Sequence, residues 1–357
     1  MQKGVRTMAR RVAMALSGGV DSGVAAHLLQ SQGYELVGVT SLNFPESRCC
    51  DMKSVFDAAR IAKQLGFPYH TIDVLQSFKE KVIDAFTEGY KQGITPNVCT
   101  ICNSEVRFEE LFEEAAWRYD VDAIASGHYA RNRHDAASGR WQLLRGLDPT
   151  KDQSYMLYRL RQDQLERCLF PLGEKTKDEV RAIAETIGLE VSRKPDSQDI
   201  CFAAGDTRKF LEERIGAQLS PGPIVDVTGK PLGTHQGIAY YTVGQRRGLG
   251  IAHPHPLYVV RVEAATNTVV VGPIDAAHEQ AATVRDVRWV SIAAPTEPIA
   301  VEAQVRYRSK AMPAKLTPQA DGRVMLEFEE PIFAITPGQV AAFYQGDLLL
   351  GGGVLEG

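Results

Sequence analysis

The hexapeptide Ser17-Gly18-Gly19-Val20-Asp21-Ser22, which lies between two apolar segments, constrains the fold more than any other feature of the sequence. Residues 12–16 predict a buried strand, and residues 23–29 place apolar side chains on one helical face. A tight glycine turn between a strand and a helix leaves the first helical N–H groups pointing outward, which favours an anion. The two glycines let the backbone approach that anion, and the serines at both ends add hydroxyl donors. The sequence therefore predicts a phosphate-binding loop.

Asp21 is unusual in such a loop, because a carboxylate repels phosphate. A Mg²⁺ ion chelated by a nucleotide would supply the missing cation. No Gly-Lys-Ser/Thr sequence follows, so the lysine of a Walker loop is absent. The alternative is a packing turn that needs glycine, but the complete hexapeptide at the first strand of an α/β pattern favours the phosphate site.

The pattern of elements predicts three regions. Apolar runs alternate with helical stretches over residues 12–75, which predicts a parallel sheet with right-handed crossovers. Short strands and turns dominate the last quarter of the chain and predict a small β-barrel. We therefore expect an α/β, doubly wound parallel-sheet catalytic domain over 1–204, a small linker domain over 205–274 and a C-terminal β-barrel over 275–357.

Two further local patterns belong to the α/β region. Residues 121–126 predict a buried strand, so Gly127 and His128 follow it at the sheet edge where ligands bind. A satisfied structural histidine is the alternative for His128. Thr176 and Glu179 have the spacing of a capping box and predict a helix start.

Composition limits the classes of partner. The 357 residues are 44% apolar and carry a net charge of −4, so a surface that binds nucleic acid must be a local patch. The sequence shows no apolar run near the ~20 residues of a membrane span. The apolar run after Arg10-Arg11 is too short for a secretion signal. We expect a cytoplasmic protein with reduced thiols and no membrane partner.

The chain has six cysteines: Cys49, Cys50, Cys99, Cys102, Cys168 and Cys201. The C-x-x-C pair at 99 and 102 lies in a polar, proline-bearing turn, which is typical of a redox pair, half a zinc site or part of an iron–sulfur site. Cys168 lies in an apolar run and is expected in the core. The Cys49-Cys50 pair lies in a polar loop and carries a weaker prediction of function.

The hexapeptide resembles the PP-loop of the ATP pyrophosphatases, which cleave ATP between its α and β phosphates. Together with six further segments it resembles tRNA-specific 2-thiouridylases over nearly the whole chain, in the order of that family. The further segments are Thr95-Pro96-Asn97 with Cys102-Asn103, Ser126-Gly127-His128-Tyr129-Ala130, Lys151-Asp152-Gln153-Ser154-Tyr155, Asp199-Ile200-Cys201-Phe202, residues 242–250 and Pro337-Gly338-Gln339.

This resemblance implies ATP-dependent replacement of the 2-oxygen of the wobble uridine by sulfur in tRNAs of the Lys, Glu and Gln type. ATP with Mg²⁺ would adenylate that oxygen, and pyrophosphate would leave into the loop. Cys102 would be the nucleophile, and Cys201 would carry the sulfur as a persulfide. The two cysteines would finish as a disulfide that a reductant reopens. The sulfur would come from a donor protein, such as a cysteine desulfurase or a sulfur relay protein, or from sulfide.

Two positions depart from the family pattern. Many relatives carry Asp at the position of Cys99, and a branch with Cys there is associated with a 4Fe–4S cluster. The resemblance therefore leaves a second mechanism open, in which Cys99, Cys102 and Cys201 hold a cluster with one open iron. Ser41 stands where relatives more often have Met in contact with adenine, and a backbone contact could survive that change.

The resemblance also implies two sets of binding residues. The residues expected to bind ATP are Ala15, Leu16, Ser17, Gly18, Gly19, Val20, Asp21, Ser22, Ser41 and Gly127. The residues expected to contact tRNA are Asn97, Val98, Cys99, His128, Lys151, Asp152, Gln153, Arg306, Tyr307 and Gln339.

Two other functions are consistent with parts of the sequence. A different PP-loop enzyme would adenylate a small substrate, and it would need neither paired thiols nor a barrel. A non-catalytic homologue would bind tRNA without chemistry, although the intact hexapeptide and cysteine set argue against it. Pyrophosphate release that requires tRNA would exclude the first of these functions.

Overall fold

The structure is a computed structural model, and it describes residues 10–43, 52–192, 194, 200–203 and 205–357. Cys49 and Cys50 lie outside these ranges. The chain forms two compact units. Unit 1 comprises residues 1–79 and 102–204, and unit 2 comprises residues 80–101 and 205–357.

Strands and helices alternate along the first part of the chain, and strands dominate the second part. The strands are β1 Arg11–Ala15, β2 Glu35–Leu42, β3 Tyr69–Asp73, β4 Ala123–Ala125, β5 Ala130–Asp135, β6 Arg140–Arg145, β7 Cys168–Leu169, β8 Gly222–Asp226, β9 Pro231–His235, β10 Tyr258–Glu263, β11 Thr268–Gly272, β12 His278–Trp289, β13 Ile299–Gln304, β14 Met312–Pro318, β15 Val324–Phe333, β16 Val340–Gln345 and β17 Leu348–Leu355. The α-helices are α1 Val20–Ser31, α2 Met52–Leu65, α3 Leu75–Phe78, α4 Ala85–Lys91, α5 Val98–Ile101, α6 Leu111–Tyr119, α7 Gln162–Arg167, α8 Lys177–Thr186 and α9 Thr207–Ile215. Segments Lys79–Asp84 and Cys102–Glu110 are π-helical, and short 3₁₀ turns cover Ser154–Leu157, Cys201–Ala203, Gly216–Gln218, Ile238–Tyr240 and Ile274–Ala277.

Unit 1 is built on a parallel sheet with strand order β3-β2-β1-β4-β7. Val12 and Met14 on β1 are fully buried and pack with side chains of α1, α2 and α8, including Val24 and Ala58. The strand order reverses direction between β1 and β4, so the loops that follow these two strands diverge and leave a crevice at their carboxyl ends. The expected doubly wound α/β domain is therefore confirmed, and the hexapeptide follows β1 at this crevice.

Unit 2 contains two sheets. Strands β10-β11-β8-β9 form a small four-stranded sheet whose core includes Val259, Val269 and Val271. Six antiparallel strands, in the order β12-β15-β14-β13-β16-β17, close into a barrel because β12 also pairs with β17. Leu316 and Phe343 lie in the fully buried barrel core. The predicted C-terminal β-barrel is confirmed.

Residues 80–101 belong to unit 2, which the sequence did not predict. Phe86 of α4 packs edge-on against Phe210 of α9, with ring centroids 6.0 Å apart. This aromatic contact places α4 with the residues that follow position 205. Among the described residues, no helix is long and apolar enough to span a bilayer.

Candidate active site

The loop after β1 requires glycine at position 18. Gly18 has φ +68°, in the left-handed region that side chains avoid. A Cβ on Gly18 would lie 2.3 Å from the carbonyl oxygen of Ser54 in α2. The loop backbone therefore packs directly on α2, so glycine at this position is required by packing, and its approach to an anion stays a prediction.

The two serines of the hexapeptide are bonded within the loop. Ser22 Oγ donates to the carbonyl oxygen of Gly19 at 3.1 Å and accepts from Ser17 N at 3.3 Å. The two serine hydroxyls are also 3.3 Å apart. Gly19 caps α1 without a side-chain hydrogen bond, so the first turn of α1 presents its N–H groups to the crevice. This geometry suits an anion.

Gly127 closes the same loop from the side of β4. A Cβ on this residue would lie 2.8 Å from Ser22 N and 2.9 Å from the carbonyl carbon of Asp21. The structure therefore places Gly127 against the start of α1, as the sheet-edge prediction required. Only glycine allows this approach of the loops after β1 and β4.

Asp21 is paired with a lysine that the sequence reasoning missed. Lys177 Nζ donates to both carboxylate oxygens of Asp21, at 2.7 and 2.9 Å, and Tyr129 OH donates to Oδ1 at 2.9 Å. The Lys177 side chain is 7% exposed, and its backbone N donates to Asp148 at 2.9 Å. The capping box at Thr176 puts Lys177 in the first turn of α8, but its partner lies 156 residues away.

A second lysine reaches the loop from the other side. Lys194 Nζ donates to the carbonyl oxygen of Gly18 at 3.0 Å and to Asp57 Oδ2 at 2.8 Å. Lys177 and Lys194 thus bring two ammonium groups to the hexapeptide. Lys177 is ion-paired with Asp21, and Lys194 is ion-paired with Asp57.

The other residues predicted to bind ATP lie along the same sheet edge. Ala15 ends β1, and Leu16 continues it by donating its N–H to Val39 at 2.9 Å. Ser41 is half-buried near the carboxyl end of the adjacent strand β2. Because the strands are parallel, their carboxyl ends share one edge with the hexapeptide. The ATP contacts themselves stay predictions.

His128 belongs to a hydrogen-bonded network that includes Asn103 and Arg107 of the π-helical segment Cys102–Glu110. Its Nδ1 lies 2.7 Å from Ser126 Oγ, and Arg107 NH1 lies 3.4 Å from its Nε2. A guanidinium has no acceptor, so Nε2 accepts and Nδ1 carries the proton. Arg107 also donates to Asn103 Oδ1 at 2.7 Å. Burial, with a further contribution from Arg107, lowers the pKa of His128 to about 3, so the imidazole is neutral at physiological pH.

The cysteines lie in different environments. Cys102 begins the π-helix Cys102–Glu110 and Cys201 begins the 3₁₀ turn Cys201–Ala203, and both are half-buried. Cys99 is half-buried on α5. Cys168 is 2% exposed, and burial, with a smaller contribution from Asp163, raises the pKa of its thiol far above the ordinary value. The core position expected for Cys168 is confirmed.

Family models and curated relatives match almost the whole chain. The family models are described as a tRNA methyl transferase HUP domain over residues 10–205, a tRNA methyl transferase PRC-barrel domain over 208–273 and an aminomethyltransferase beta-barrel domain over 279–355. The tRNA-specific 2-thiouridylase MnmA of Synechococcus sp. strain JA-3-3Ab is 51% identical over 97% of this chain and 94% of its own. The tRNA-specific 2-thiouridylase MnmA of Rippkaea orientalis is 48% identical over 97% of this chain and 99% of its own.

The chain belongs to the MnmA family. A solved 4-thiouridine synthetase in complex with RNA and bound ATP is a more distant likeness. It is 21% identical, with a TM-score of 0.37 over 55% of this chain and 46% of that one.

The sequence resemblance leaves open a cluster held by Cys99, Cys102 and Cys201. Among residues 10–43, 52–192, 194, 200–203 and 205–357, no group of three or more His, Cys, Asp or Glu side chains is gathered around a metal position. Cys99 falls in unit 2, while Cys102 and Cys201 fall in unit 1. The ligand set Cys99, Cys102 and Cys201 therefore stays a prediction.

Three of the residues that the MnmA resemblance assigns to tRNA follow one another after the hairpin β5–β6. Asp152 accepts from Arg145, from the backbone of Gly146 and from Ser154 at 3.0–3.2 Å, so its carboxylate organises its own loop. Gln153 Oε1 accepts from the backbone N of Tyr129 at 3.0 Å. The neighbouring Lys151 is half-buried. Their tRNA contacts stay predictions.

The remaining tRNA residues of the MnmA pattern lie in unit 2. Arg306 donates to Thr336 Oγ1 at 2.9 Å and to the carbonyl oxygen of Ala334. Tyr307 follows it at the same barrel edge, and its carbonyl oxygen accepts from Gln304 at 2.7 Å. Asn97 and Val98 come just after Thr95, whose carbonyl oxygen accepts from Gln339 Nε2 at 2.8 Å. The amide of Gln339 is therefore engaged within the protein, and the tRNA contacts of this set stay predictions.

Proposed function

We propose that this chain converts the wobble uridine of tRNA to 2-thiouridine in an ATP-dependent reaction, acting as a tRNA-uridine 2-sulfurtransferase. The observation that carries the proposal is the glycine loop with two lysines, in a chain 51% identical to a tRNA-specific 2-thiouridylase. Transfer RNA is the macromolecular substrate, and MgATP is the co-substrate. The activity belongs in the cytoplasm, where both are present.

The glycine loop would hold the phosphates of MgATP. The N–H groups at the start of α1 and the ammonium of Lys177 would bind the β and γ phosphates, which carry the departing charge. Mg²⁺ keeps several waters and needs one or two carboxylates besides phosphate oxygens, and Asp21 is the acidic side chain of the loop. Uridine O2 attacks the α-phosphorus, the bond to the β-phosphate oxygen breaks, and pyrophosphate leaves. AMP then becomes the leaving group at C2.

The sulfur step would use Cys102 and Cys201. The Cys102 thiolate attacks the inner sulfur of a persulfide on Cys201, which forms a Cys102–Cys201 disulfide and releases hydrosulfide. Hydrosulfide attacks C2 of the adenylated uridine, and AMP departs with the C–O bond electrons. An external dithiol reduces the disulfide, and a sulfur donor protein reloads Cys201. A 4Fe–4S cluster held by Cys99, Cys102 and Cys201 is the alternative route, and an iron assay with the absorbance at ~400 nm of the anaerobically purified chain distinguishes the two.

We also propose the domain division 1–204, 205–274 and 275–357. The three family models support this division, because the first model ends at residue 205, the second begins at 208 and the third begins at 279. The first region would carry the chemistry, and the other two would bind tRNA. RNA is recognised through splayed bases and backbone contacts, so separate domains that extend the binding surface suit this substrate.

The direct test is formation of 2-thiouridine by the purified chain with MgATP, a cysteine desulfurase and cysteine as the persulfide donor, a dithiol and tRNA that lacks the modification. Nucleoside mass spectrometry should detect 2-thiouridine only when ATP is present, and a tRNA with cytidine at the wobble position should give none. Pyrophosphate release without tRNA but with a small acceptor would favour a different PP-loop enzyme. Tight tRNA binding with no pyrophosphate release would favour a non-catalytic homologue.

A further inference from the structure

The segment that leads into the C-x-x-C motif is held by a turn of the β-barrel. Thr95 N donates to the carbonyl oxygen of Pro337 at 2.9 Å, and Asn97 N donates to that of Gly338 at 3.2 Å. Gln339 Nε2 donates to the carbonyl oxygen of Thr95 at 2.8 Å. Three hydrogen bonds therefore join residues 95–97 to residues 337–339, and all of these residues lie in unit 2.

The turn that makes these bonds is itself fixed to the barrel. Gly338 N donates to the carbonyl oxygen of Leu355 at 2.9 Å, and Leu355 N donates to that of Gln339 at 2.8 Å. Gln339 N donates to the carbonyl oxygen of Thr336 at 3.1 Å. Because Leu355 ends β17 and is buried in the barrel core, the turn has the rigidity of the barrel.

The contact leaves no space at Gly338. Its φ is +86°, and a Cβ there would lie 2.1 Å from Ile94 Cγ2 and 3.0 Å from the carbonyl carbon of Thr95. A side chain at position 338 would push the 94–97 segment away from the barrel. The glycine is therefore required by the neighbouring segment as well as by its own backbone conformation.

A second contact holds the same segment from the linker region. Thr95 Oγ1 donates to Thr242 Oγ1 at 3.3 Å, and the buried Tyr90 hydroxyl forms hydrogen bonds with both threonines. Pro96 packs on Gly89 of α4, where a Cβ would lie 2.7 Å from Pro96 Cγ. The segment is thus held on several sides within unit 2.

The held segment continues directly into the cysteines. The carbonyl oxygen of Asn97 accepts from Thr100 Oγ1 at 2.9 Å, which fixes the start of α5. Helix α5 carries Cys99, and Cys102 is the next residue after it. A displacement of residues 95–97 would therefore be passed on to the start of α5, which carries Cys99 and leads into Cys102.

We propose that Gly338 and Gln339 are positioning residues for the cysteine segment. The barrel turn fixes the backbone segment that carries Cys99 and leads into Cys102, so it acts on the sulfur step and not only on RNA affinity. The amide that the resemblance assigns to tRNA is engaged with Thr95, which makes Gln339 a support of the catalytic segment. This inference rests on the proposed thiolation.

The main test compares Gly338→Ala with Gly322→Ala. Both glycines lie on the barrel with nearly equal φ, +86° and +84°, but a Cβ on Gly322 meets nothing within 4 Å. The backbone strain is therefore matched, and only the contact with the 94–97 segment differs. We expect Gly338→Ala to lower kcat for thiolation by roughly 10-fold or more, while Gly322→Ala keeps the wild-type value.

Two readouts do not depend on thiolation. Amide exchange at Thr95 and Asn97 should be faster in Gly338→Ala than in Gly322→Ala, and alkylation of Cys102 by iodoacetamide should change in rate only in the former. If the wild-type chain makes no 2-thiouridine, the proposed function fails, and these two readouts still decide the positioning role. Equal exchange and alkylation in the two glycine variants would overturn that role.

Gln339→Glu provides a second variant with an unchanged backbone, in case Gly338→Ala does not fold. The carboxylate keeps the side-chain length but cannot donate to the Thr95 carbonyl. We expect a lower kcat with an unchanged Kd for tRNA, and rescue of both exchange and kcat in Gln339→Lys, whose ammonium can donate. A loss of tRNA affinity with wild-type kcat at saturating tRNA would show a direct RNA contact and overturn the inference.

Discussion

Lys177 and Asp21 form a charge-assisted pair across the mouth of the glycine loop, with Nζ within 2.9 Å of both carboxylate oxygens. The lysine is nearly buried and the aspartate is about one-third exposed. A buried ammonium needs a compensating negative charge. Asp21 provides one, and incoming phosphates would provide another. Under the proposed function, the pair would hold the Lys177 ammonium in place for the triphosphate before it binds.

The first prediction follows from this pair. Lys177→Met removes the ammonium and keeps an unbranched side chain that is one atom shorter, so we expect pyrophosphate release to slow by about 10²- to 10³-fold, the usual cost of losing one donor to a developing anion. Lys175→Met is the control, because Lys175 is more exposed and lies 3.8 Å from Glu179 on the same helix start. Equal tRNA-dependent pyrophosphate release in the two variants would contradict the phosphate role.

The second prediction concerns the glycine loop and compares the two ends of α1. Gly18→Ala places a Cβ 2.3 Å from the Ser54 carbonyl, whereas Gly33→Ala, also at positive φ, meets nothing within 4 Å. Both variants carry about 1–2 kcal/mol of backbone strain, but only Gly18→Ala must also move the loop. Calorimetric titration with a non-hydrolysable ATP analogue should show lost binding for Gly18→Ala alone. Wild-type affinity in Gly18→Ala would count against the loop as the nucleotide site.

The third prediction separates catalytic from structural cysteines. Cys102→Ser and Cys201→Ser should each abolish measurable 2-thiouridine, because a hydroxyl neither carries a persulfide nor attacks one. Cys168→Ala should retain thiolation, since that thiol is buried and its raised pKa keeps it protonated. Nucleoside mass spectrometry measures all three. Substantial thiolation by Cys102→Ser would reject the proposed nucleophile.

The fourth prediction is a pH dependence of stability from His128. Its pKa is lowered from an ordinary 6.5 to about 3, so between these values the unfolded chain binds a proton that the native chain does not. Stability should therefore fall as the pH drops through this window, by at most about 1.4 kcal/mol per pH unit, and the loss should stop below the folded pKa.

The measurement is urea unfolding of the wild-type chain and of His128→Gln over this window at constant ionic strength. The variant has no titrating ring, so its free energy of unfolding should decline less steeply toward acid pH. His253→Gln, at an exposed position, is the control and should follow the wild type. Parallel curves for the wild type and His128→Gln would refute a buried neutral imidazole.

The sequence by itself determined the local features. The hexapeptide between a strand and a helix predicted a tight glycine loop, and the structure shows a positive φ at Gly18 and close packing of that residue on α2. The Thr176 capping box and the core position of Cys168 were also predictable, since each depends on a few neighbouring residues. The alternation of elements predicted the parallel sheet, and the short strands predicted the barrel.

Only the tertiary structure decided the partners that lie far apart in the chain. Lys177 meets Asp21 across 156 residues, and Gln339 meets Thr95 across 244. No periodicity or spacing contains these pairs, because they depend on how whole strands and helices pack. The cation beside Asp21 is therefore a lysine that no loop motif reveals. A glutamine that resembles an RNA contact supports the cysteine segment, because folding brings its side-chain amide within hydrogen-bonding distance of the Thr95 carbonyl oxygen.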